Sequence, residues 1–109
     1  MRSVDLDGIE QALGIKLPVA YRAAATEGRL EGLLNSDAGS VVAITHAFRN
    51  GDFGDRDWPA TLFAFADDGA GNHFCIDLSS PRSRVVCRDH ETLELTKESD
   101  DFDAWLNSQ

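Results

Sequence analysis

The sequence predicts an α+β domain in which helices from both ends of the chain cover one face of a mainly antiparallel sheet with a central hairpin. Residues 62–66 form a short apolar run, and residues 73–78 alternate polar with apolar side chains, which is typical of two strands. Residues 67–72 between them are Asp, Gly, Ala and Asn, a composition that favours a tight turn. A length of 109 residues fits one domain, residues 1–109.

Two helices are predicted before this hairpin. Ser3 is the expected N-cap of the first helix, in which apolar residues recur at helical spacing, and Gly14 is expected to close the helix as its C′ residue. Pro18 is expected at the first position of the second helix, because its missing N–H has no partner to lose there, and Gly28 ends that helix.

The segment 29–57 allows more than one interpretation. Leu30, Leu33 and Leu34 fit a short strand or a turn. Residues 41–48 have helical spacing, yet the β-branched run 41–45 also suits a strand. The Gly- and Asp-rich residues 51–57 predict a loop.

A third strand and a final helix are predicted after the hairpin. Residues 85–88 read as a strand, and Leu93 and Leu95 alternate with polar neighbours beyond it. Ser99 is the expected N-cap of a C-terminal helix whose Phe102 and Trp105 would pack on the sheet.

The charge is strongly acidic and unevenly distributed. Nineteen acidic and ten basic residues leave a net charge of −9, and residues 89–109 hold seven acids against the single base Lys97. Direct nucleic-acid binding is therefore disfavoured, because neutralising phosphates requires a basic patch. A basic protein partner would be attracted, although the same charge also serves solubility alone.

Nothing in the sequence suggests membrane insertion or secretion. No apolar run approaches the roughly 20 residues of a membrane span, and the N-terminal residues lack the apolar core of a signal peptide, so the expected location is the cytoplasm. Cys75 and Cys87 are then expected to be free, packed thiols, with a disulfide between them as the alternative.

No motif predicts catalysis, a metal or a cofactor. The turn 67–72 lacks the ligand spacing of a calcium-binding EF-hand and the Lys-Ser/Thr pair of a P-loop. A metal site would have to draw on residues without a recognised spacing, namely Cys87, His73, Asp77, His90 and Glu91. No nucleophile has a base at a known spacing, so the chain is expected to be a binding module rather than an enzyme.

The predicted binding surface is acidic with one apolar anchor. If the loop 51–57 folds beside the turn 67–72, several carboxylates and one aromatic ring come together, an arrangement suited to binding a basic protein. The residues of this surface are Asp52, Phe53, Asp55, Asp57, Asp67 and Asp68.

Motifs along most of the chain resemble the SUKH superfamily. The central ones are Trp58-Pro59, Phe65–Gly69, Gly71-Asn72, Phe74, Asp77 and Asp89–Glu91. The flanking ones are Gly14, Leu17-Pro18 and Tyr21-Arg22 upstream, and Ser99, Phe102 and Trp105-Leu106 downstream. Residues 23–25 depart from the pattern, because three alanines stand where relatives carry a large apolar residue.

The resemblance implies a protein-binding function. That superfamily includes bacterial immunity proteins that neutralise toxins and fungal cell-wall regulators. It implies an immunity protein that blocks a cognate toxin, for example a nuclease, by covering its basic surface. The alternatives are a regulatory or scaffolding protein that binds another cellular factor and, from a different class, a small metal-dependent enzyme.

Overall fold

The computed structural model describes residues 1–109 and contains four helices and four strands. In chain order these are α1 (Ser3–Leu13), α2 (Val19–Thr26), α3 (Ala38–Arg49), β1 (Leu62–Asp67), β2 (His73–Asp77), β3 (Val85–Arg88), β4 (Leu95–Ser99) and α4 (Phe102–Asn107). The strands form one antiparallel sheet in the order β1-β2-β3-β4. The predicted α+β class and the central hairpin are confirmed. None of the four helices has the length and apolar character needed to cross a membrane.

The limits of the first two helices are close to those predicted. Gly14 follows α1 with φ of +64°, the left-handed conformation expected of it. Ser3, however, is the first helical residue, and Arg2 is the N-cap, with its N–H donating to Asp5 Oδ2 at 2.9 Å. Pro18 likewise stands one position before α2, as its N-cap.

The N-cap predicted for the last helix is wrong. Ser99 ends β4, and Asp101 caps α4 by accepting a hydrogen bond from the Ala104 N–H at 2.7 Å. Ser and Asp both favour the N-cap position, so residue type alone could not distinguish Ser99 from Asp101 as the cap. The anchoring residues Phe102 and Trp105 are buried as predicted.

The ambiguous residues 41–48 lie within the helix α3. Asp37 caps this helix, because its Oδ2 accepts a hydrogen bond from the Ser40 N–H at 3.1 Å. Val41, Thr45 and Phe48 recur at helical spacing and are buried, so packing along one side of a helix outweighs the strand propensity of β-branched residues. Residues 51–57 contain neither helix nor strand, in agreement with the predicted loop.

One face of the sheet packs against α1, α2 and α4 around an aromatic cluster. The ring of Tyr21 lies 5.2 Å from that of Phe63 and 5.8 Å from that of Phe102, centroid to centroid. The ring of Phe65 lies 5.0 Å from that of Trp105, again edge to face. Edge-to-face pairs place the positive ring edge against a negative ring face and so add to the burial of apolar area.

The opposite face of β1 and β2, called here the second face, is also covered. Leu62 and Ala64 point there because side chains alternate along a strand, and Cys75 faces them from β2. Phe48 of α3 packs on these residues, and the ring of Trp58 stacks on Phe48 at 4.1 Å. The sequence predicted helices on one face only, and the additional cover comes from the segment that it left ambiguous.

Helix α3 also lies along the outer edge of β1. The Ala64 N–H donates to Thr45 Oγ1 at 3.1 Å, and the Asp67 N–H donates to the Leu34 carbonyl at 3.0 Å. Leu34 and Asp67 form an isolated bridge, which is all the strand pairing found in residues 29–34. These bonds satisfy backbone donors of an edge strand that would otherwise be left unpaired.

Both cysteines are free thiols, as expected. Cys75 is buried on the second face, whereas Cys87 pairs with Phe74 and lies on the helix-covered face. Their side chains are therefore on opposite sides of the sheet, which excludes a disulfide between them in this fold. Burial raises the pKa of Cys87 to about 11, so its reactive thiolate is scarce at neutral pH.

The bond between Thr45 and Ala64 predicts a measurable loss of stability on substitution. Thr45→Val keeps the volume but leaves the Ala64 N–H without an acceptor, which should lower the free energy of unfolding by about 1–3 kcal/mol in urea titration. Thr45→Ser keeps the hydroxyl and is the matched control. A valine variant at least as stable as the serine variant would show that this hydrogen bond does not support the edge.

Candidate functional site

The loop 51–57 is held on the second face by a buried ion pair. Arg88 of β3 donates from Nε to Asp55 Oδ2 at 3.1 Å and from Nη2 to Asp55 Oδ1. The same Nη2 donates to the Phe53 carbonyl at 3.1 Å, and the guanidinium carbon lies 5.0 Å from the centre of the Phe48 ring. Arg88 is only 3% exposed, and the Asp55 side chain only 8%.

This arrangement determines what Asp55 and Phe53 can do. A buried guanidinium requires an opposite charge and hydrogen-bond acceptors, and Asp55 and the Phe53 carbonyl supply them. The predicted surface included Asp55, but its carboxylate faces Arg88 inside the protein and is shielded from solvent. The adjoining Phe53 is held in place by the same contact through its carbonyl, and the residue is 43% exposed.

His73 lies where the loop meets the hairpin. Its ring centroid is 5.1 Å from that of Phe48 and 6.0 Å from that of Phe53, and it pairs with Asp67 across the two strands. The loop therefore folds against the start of β2, close to the turn 67–72. Burial lowers the pKa of His73, an effect that the nearby negative charge of Asp67 opposes.

The two carboxylates of the hairpin turn hold the turn together. Asp67 Oδ1 accepts from the Gly69 N–H at 3.0 Å, and its Oδ2 accepts from the Asn35 amide. Asp68 accepts from the Ala70 N–H at 2.8 Å and from Asn72 Nδ2 at 2.9 Å. The hydrogen bond from the Ala70 N–H is the main interaction that lowers the pKa of Asp68. This exposed residue is therefore ionised at neutral pH.

Asp52 and Asp57 are the carboxylates of the loop that remain unpaired. Both are exposed, and neither side chain takes part in a hydrogen bond or an ion pair within the protein. Asp57 also has φ of +54°, a conformation that Asp and Asn tolerate better than most residues. Their charges are therefore available to a partner, and the two residues flank Phe53 and Asp55 in the sequence.

Two exposed leucines extend the surface beyond what the sequence indicated. Leu93 is 38% exposed and Leu95 43%, and Leu95 pairs with Arg88, which places it on the second face. A Cβ at Gly54 would lie 3.9 Å from Leu93 Cδ1, so Leu93 adjoins the loop. Phe53, Leu93 and Leu95 are called here the apolar patch.

The sequence contained a partial signal for these leucines. Their alternation with polar residues is typical of a strand, but it could not show that the apolar side faces solvent. The second face is covered only over β1 and β2 and where the loop reaches Arg88, so the side chains of β4 beyond it are left exposed.

The residues considered as metal ligands are dispersed. His90 Nδ1 lies 2.7 Å from Asn72 Oδ1, and Asp77 accepts a hydrogen bond from the Ser79 hydroxyl. His73 is packed between aromatic rings. No group of three or more His, Cys, Asp or Glu side chains is placed to hold a metal ion.

The buried ion pair predicts a large effect of removing one partner. Asp55→Ala leaves the Arg88 guanidinium buried and uncompensated, which should lower the free energy of unfolding by about 3–5 kcal/mol. Asp52→Ala, three residues away and exposed, should change it by less than about 0.5 kcal/mol. Equal urea midpoints for the two variants would contradict a stabilising role for the pair.

His73 predicts a loss of stability on mild acidification. The unfolded chain takes up a proton on His73 near pH 6.5, whereas the folded protein, with its lowered pKa, takes it up only at lower pH. The contribution of His73 to the free energy of unfolding is therefore fully present above about pH 6.5 and declines as the pH falls below that value. His73→Leu should flatten the stability profile between pH 7.5 and 5.5 in urea titrations, and the exposed His46→Gln should keep it. An unchanged slope in His73→Leu would contradict this assignment.

The comparison with protein families identifies the chain. The model of the SMI1 / KNR4 family (SUKH-1) matches residues 2–108, nearly the whole sequence. The search of curated proteins found no match.

Proposed function

The chain belongs to the SMI1 / KNR4 family (SUKH-1), and we propose that it is an immunity protein that binds a cognate bacterial toxin and blocks it. In this proposal the protein performs no chemistry and acts as a binding module in the cytoplasm. The family includes toxin-immunity proteins, which supports the class of function. A basic partner is proposed because the apolar patch is bordered by unpaired, exposed carboxylates on a chain of net charge −9.

The proposed contact combines an apolar anchor with acidic neighbours. Phe53 would be buried on binding, and aromatic side chains dominate the energy of many interfaces when a partner covers them. Asp52 and Asp57 would meet basic groups of the partner, and Asp68 would add charge from the neighbouring turn. Opposite charges mainly raise the association rate and select the partner, whereas burial of the aromatic ring slows dissociation.

The buried ion pair supports this reading because it prepares the loop before binding. Three hydrogen bonds from Arg88 fix residues 53–55, so Phe53 does not have to be ordered when the partner arrives. A surface that is already ordered avoids part of the entropy cost of association.

Inhibition would follow from covering the basic surface with which the toxin holds an anionic substrate. Nucleases bind the phosphate backbone through lysine and arginine side chains, and an acidic protein can occupy the same groups. A nuclease is accordingly the toxin class that this surface suits best.

The proposal is tested by identifying the partner and measuring protection. Tagged protein is captured from its own cells, and the basic domain recovered with it is expressed alone and together with this chain. We expect growth arrest in the first case and normal growth in the second. A captured partner that is harmless alone would favour the regulatory or scaffolding alternative, and toxicity that this chain does not relieve would reject immunity.

The acidic border predicts slower association when its charges are changed. The double variant Asp52→Lys, Asp57→Asn should reduce the association rate with the captured domain by at least about tenfold at about 0.1 M salt, measured by stopped flow. Asparagine is chosen at position 57 because it tolerates the positive φ.

The matched control changes the net charge by the same amount elsewhere. Glu27→Lys, Glu31→Gln alters two exposed carboxylates just after α2, away from the second face. Its association rate should remain within about threefold of the unaltered protein, since interactions between exposed charges beyond about 10 Å are screened at 0.1 M salt. Equal slowing by both double variants would place the contact elsewhere.

A further inference from the structure

The two edges of the sheet are treated differently by the fold. The outer edge of β1 is covered by α3 and bonded to Thr45 and Leu34. Strand β4 is the last in the sheet and has no strand beyond it, and residues 95–98 are exposed. An uncovered edge presents unpaired backbone groups that another extended chain can bind.

The register identifies which backbone groups are free. The Asp89 N–H donates to the Glu94 carbonyl at 2.9 Å, so these residues form a hydrogen-bonded pair just beyond the ladder. Hydrogen-bonded and non-hydrogen-bonded pairs alternate in antiparallel sheets, so Cys87 and Thr96 form the next hydrogen-bonded pair. The N–H and C=O groups of Leu95 and Lys97 therefore point away from β3, towards solvent.

The usual protection of an edge is weak at this strand. Edge strands are often protected by proline, by helical cover or by free charges. Residues 95–99 contain no proline, and Lys97 Nζ is paired with Asp100 Oδ1 at 2.8 Å. The unpaired charge of this strand, Glu98, is negative and stands at a bulge near the end of the strand, beyond Leu95 and Lys97. The Leu95 side chain meanwhile belongs to the apolar patch.

We propose that an extended, basic segment of the partner protein pairs with β4 and becomes the fifth strand of the sheet. Its backbone would bond to the free groups of Leu95 and Lys97, and an apolar side chain beside Leu95 would extend towards Phe53. Strand addition of this kind obtains affinity from main-chain bonds and specificity from alternate side chains. The inference rests on the proposed function for the nature of the partner.

Charge selects this occupant over a second copy of the chain. Residues 89–109 carry seven acids against Lys97, so the surroundings of β4 attract a basic segment. Two copies would each bring a net charge of −9 to the same edge, and repulsion opposes that pairing.

The test uses a peptide probe rather than the toxin. An end-capped octapeptide of alternating lysine and valine is titrated into the isotope-labelled protein, and amide hydrogen exchange and the dissociation constant are measured by NMR. The Leu95 and Lys97 amides should become protected. Lys97→Pro removes the outward N–H, at an edge position that tolerates proline, and should weaken binding at least about tenfold relative to Lys97→Ala. The alanine variant is the matched control because it loses the same charge and keeps the N–H.

Each outcome bears on the proposal. Protection at residues 95 and 97 in the unaltered protein supports strand addition even if the proline variant does not fold. Equal affinities of folded proline and alanine variants, or no binding by the unaltered protein, would overturn it. Protection without peptide that grows with protein concentration would assign the edge to a second copy and also overturn it. A failed peptide test leaves the growth-protection assay untouched, and a failed growth assay leaves the peptide result standing, so the two proposals can fail separately.

Discussion

Strand β1 is the element on which the rest of the structure depends, because it is buried on both faces and along its edge. Phe63 and Phe65 pack under the helices of one face, and Leu62 and Ala64 pack on the other. A strand enclosed in this way has no water for its backbone groups, so each must find a partner within the protein. The position of α3 follows from this requirement, since its Thr45 hydroxyl serves the edge that β2 does not.

Covering the second face produces the proposed binding surface as a by-product. Phe48 and Trp58 close this face over β1 and β2, and Arg88 extends the cover by holding the loop 51–57 across β3. The cover ends there, and β4 remains exposed beyond it. The apolar patch thus occupies the boundary between the covered and uncovered parts of the sheet, where Phe53 projects from a loop that a buried ion pair keeps in place.

The charge distribution gives this boundary its chemical character. The carboxylates fall into two groups. Asp55 and Asp68 form ion pairs or hydrogen bonds within the protein, whereas Asp52 and Asp57 have no partner there. The unpaired carboxylates can bind a partner directly without breaking a contact that the fold needs, whereas Asp68 contributes its charge while keeping its bonds within the turn. An acidic, preorganised surface beside an open strand edge is well suited to a basic protein and poorly suited to nucleic acid.

Most of the fold could be predicted from the sequence, because the spacing of apolar residues distinguishes helices from strands. The hairpin, the first two helices and the final helix were found this way, to within a residue or two at their ends. The helix at 38–49 was left open, since its β-branched residues suit either structure until Val41 and Phe48 are seen to pack.

Of the candidate site, the sequence predicted that the loop 51–57 lies beside the hairpin turn, but it indicated neither the exposed leucines nor the buried position of Asp55. Contacts such as Arg88 with Asp55, which lie 33 residues apart, leave no trace in local spacing. By itself, then, the sequence determined most of the secondary structure, the acidity and the family pattern, which are properties of local composition and order. Only the tertiary structure decided which carboxylates are free and which sheet edge is open, because burial depends on what distant segments bring together.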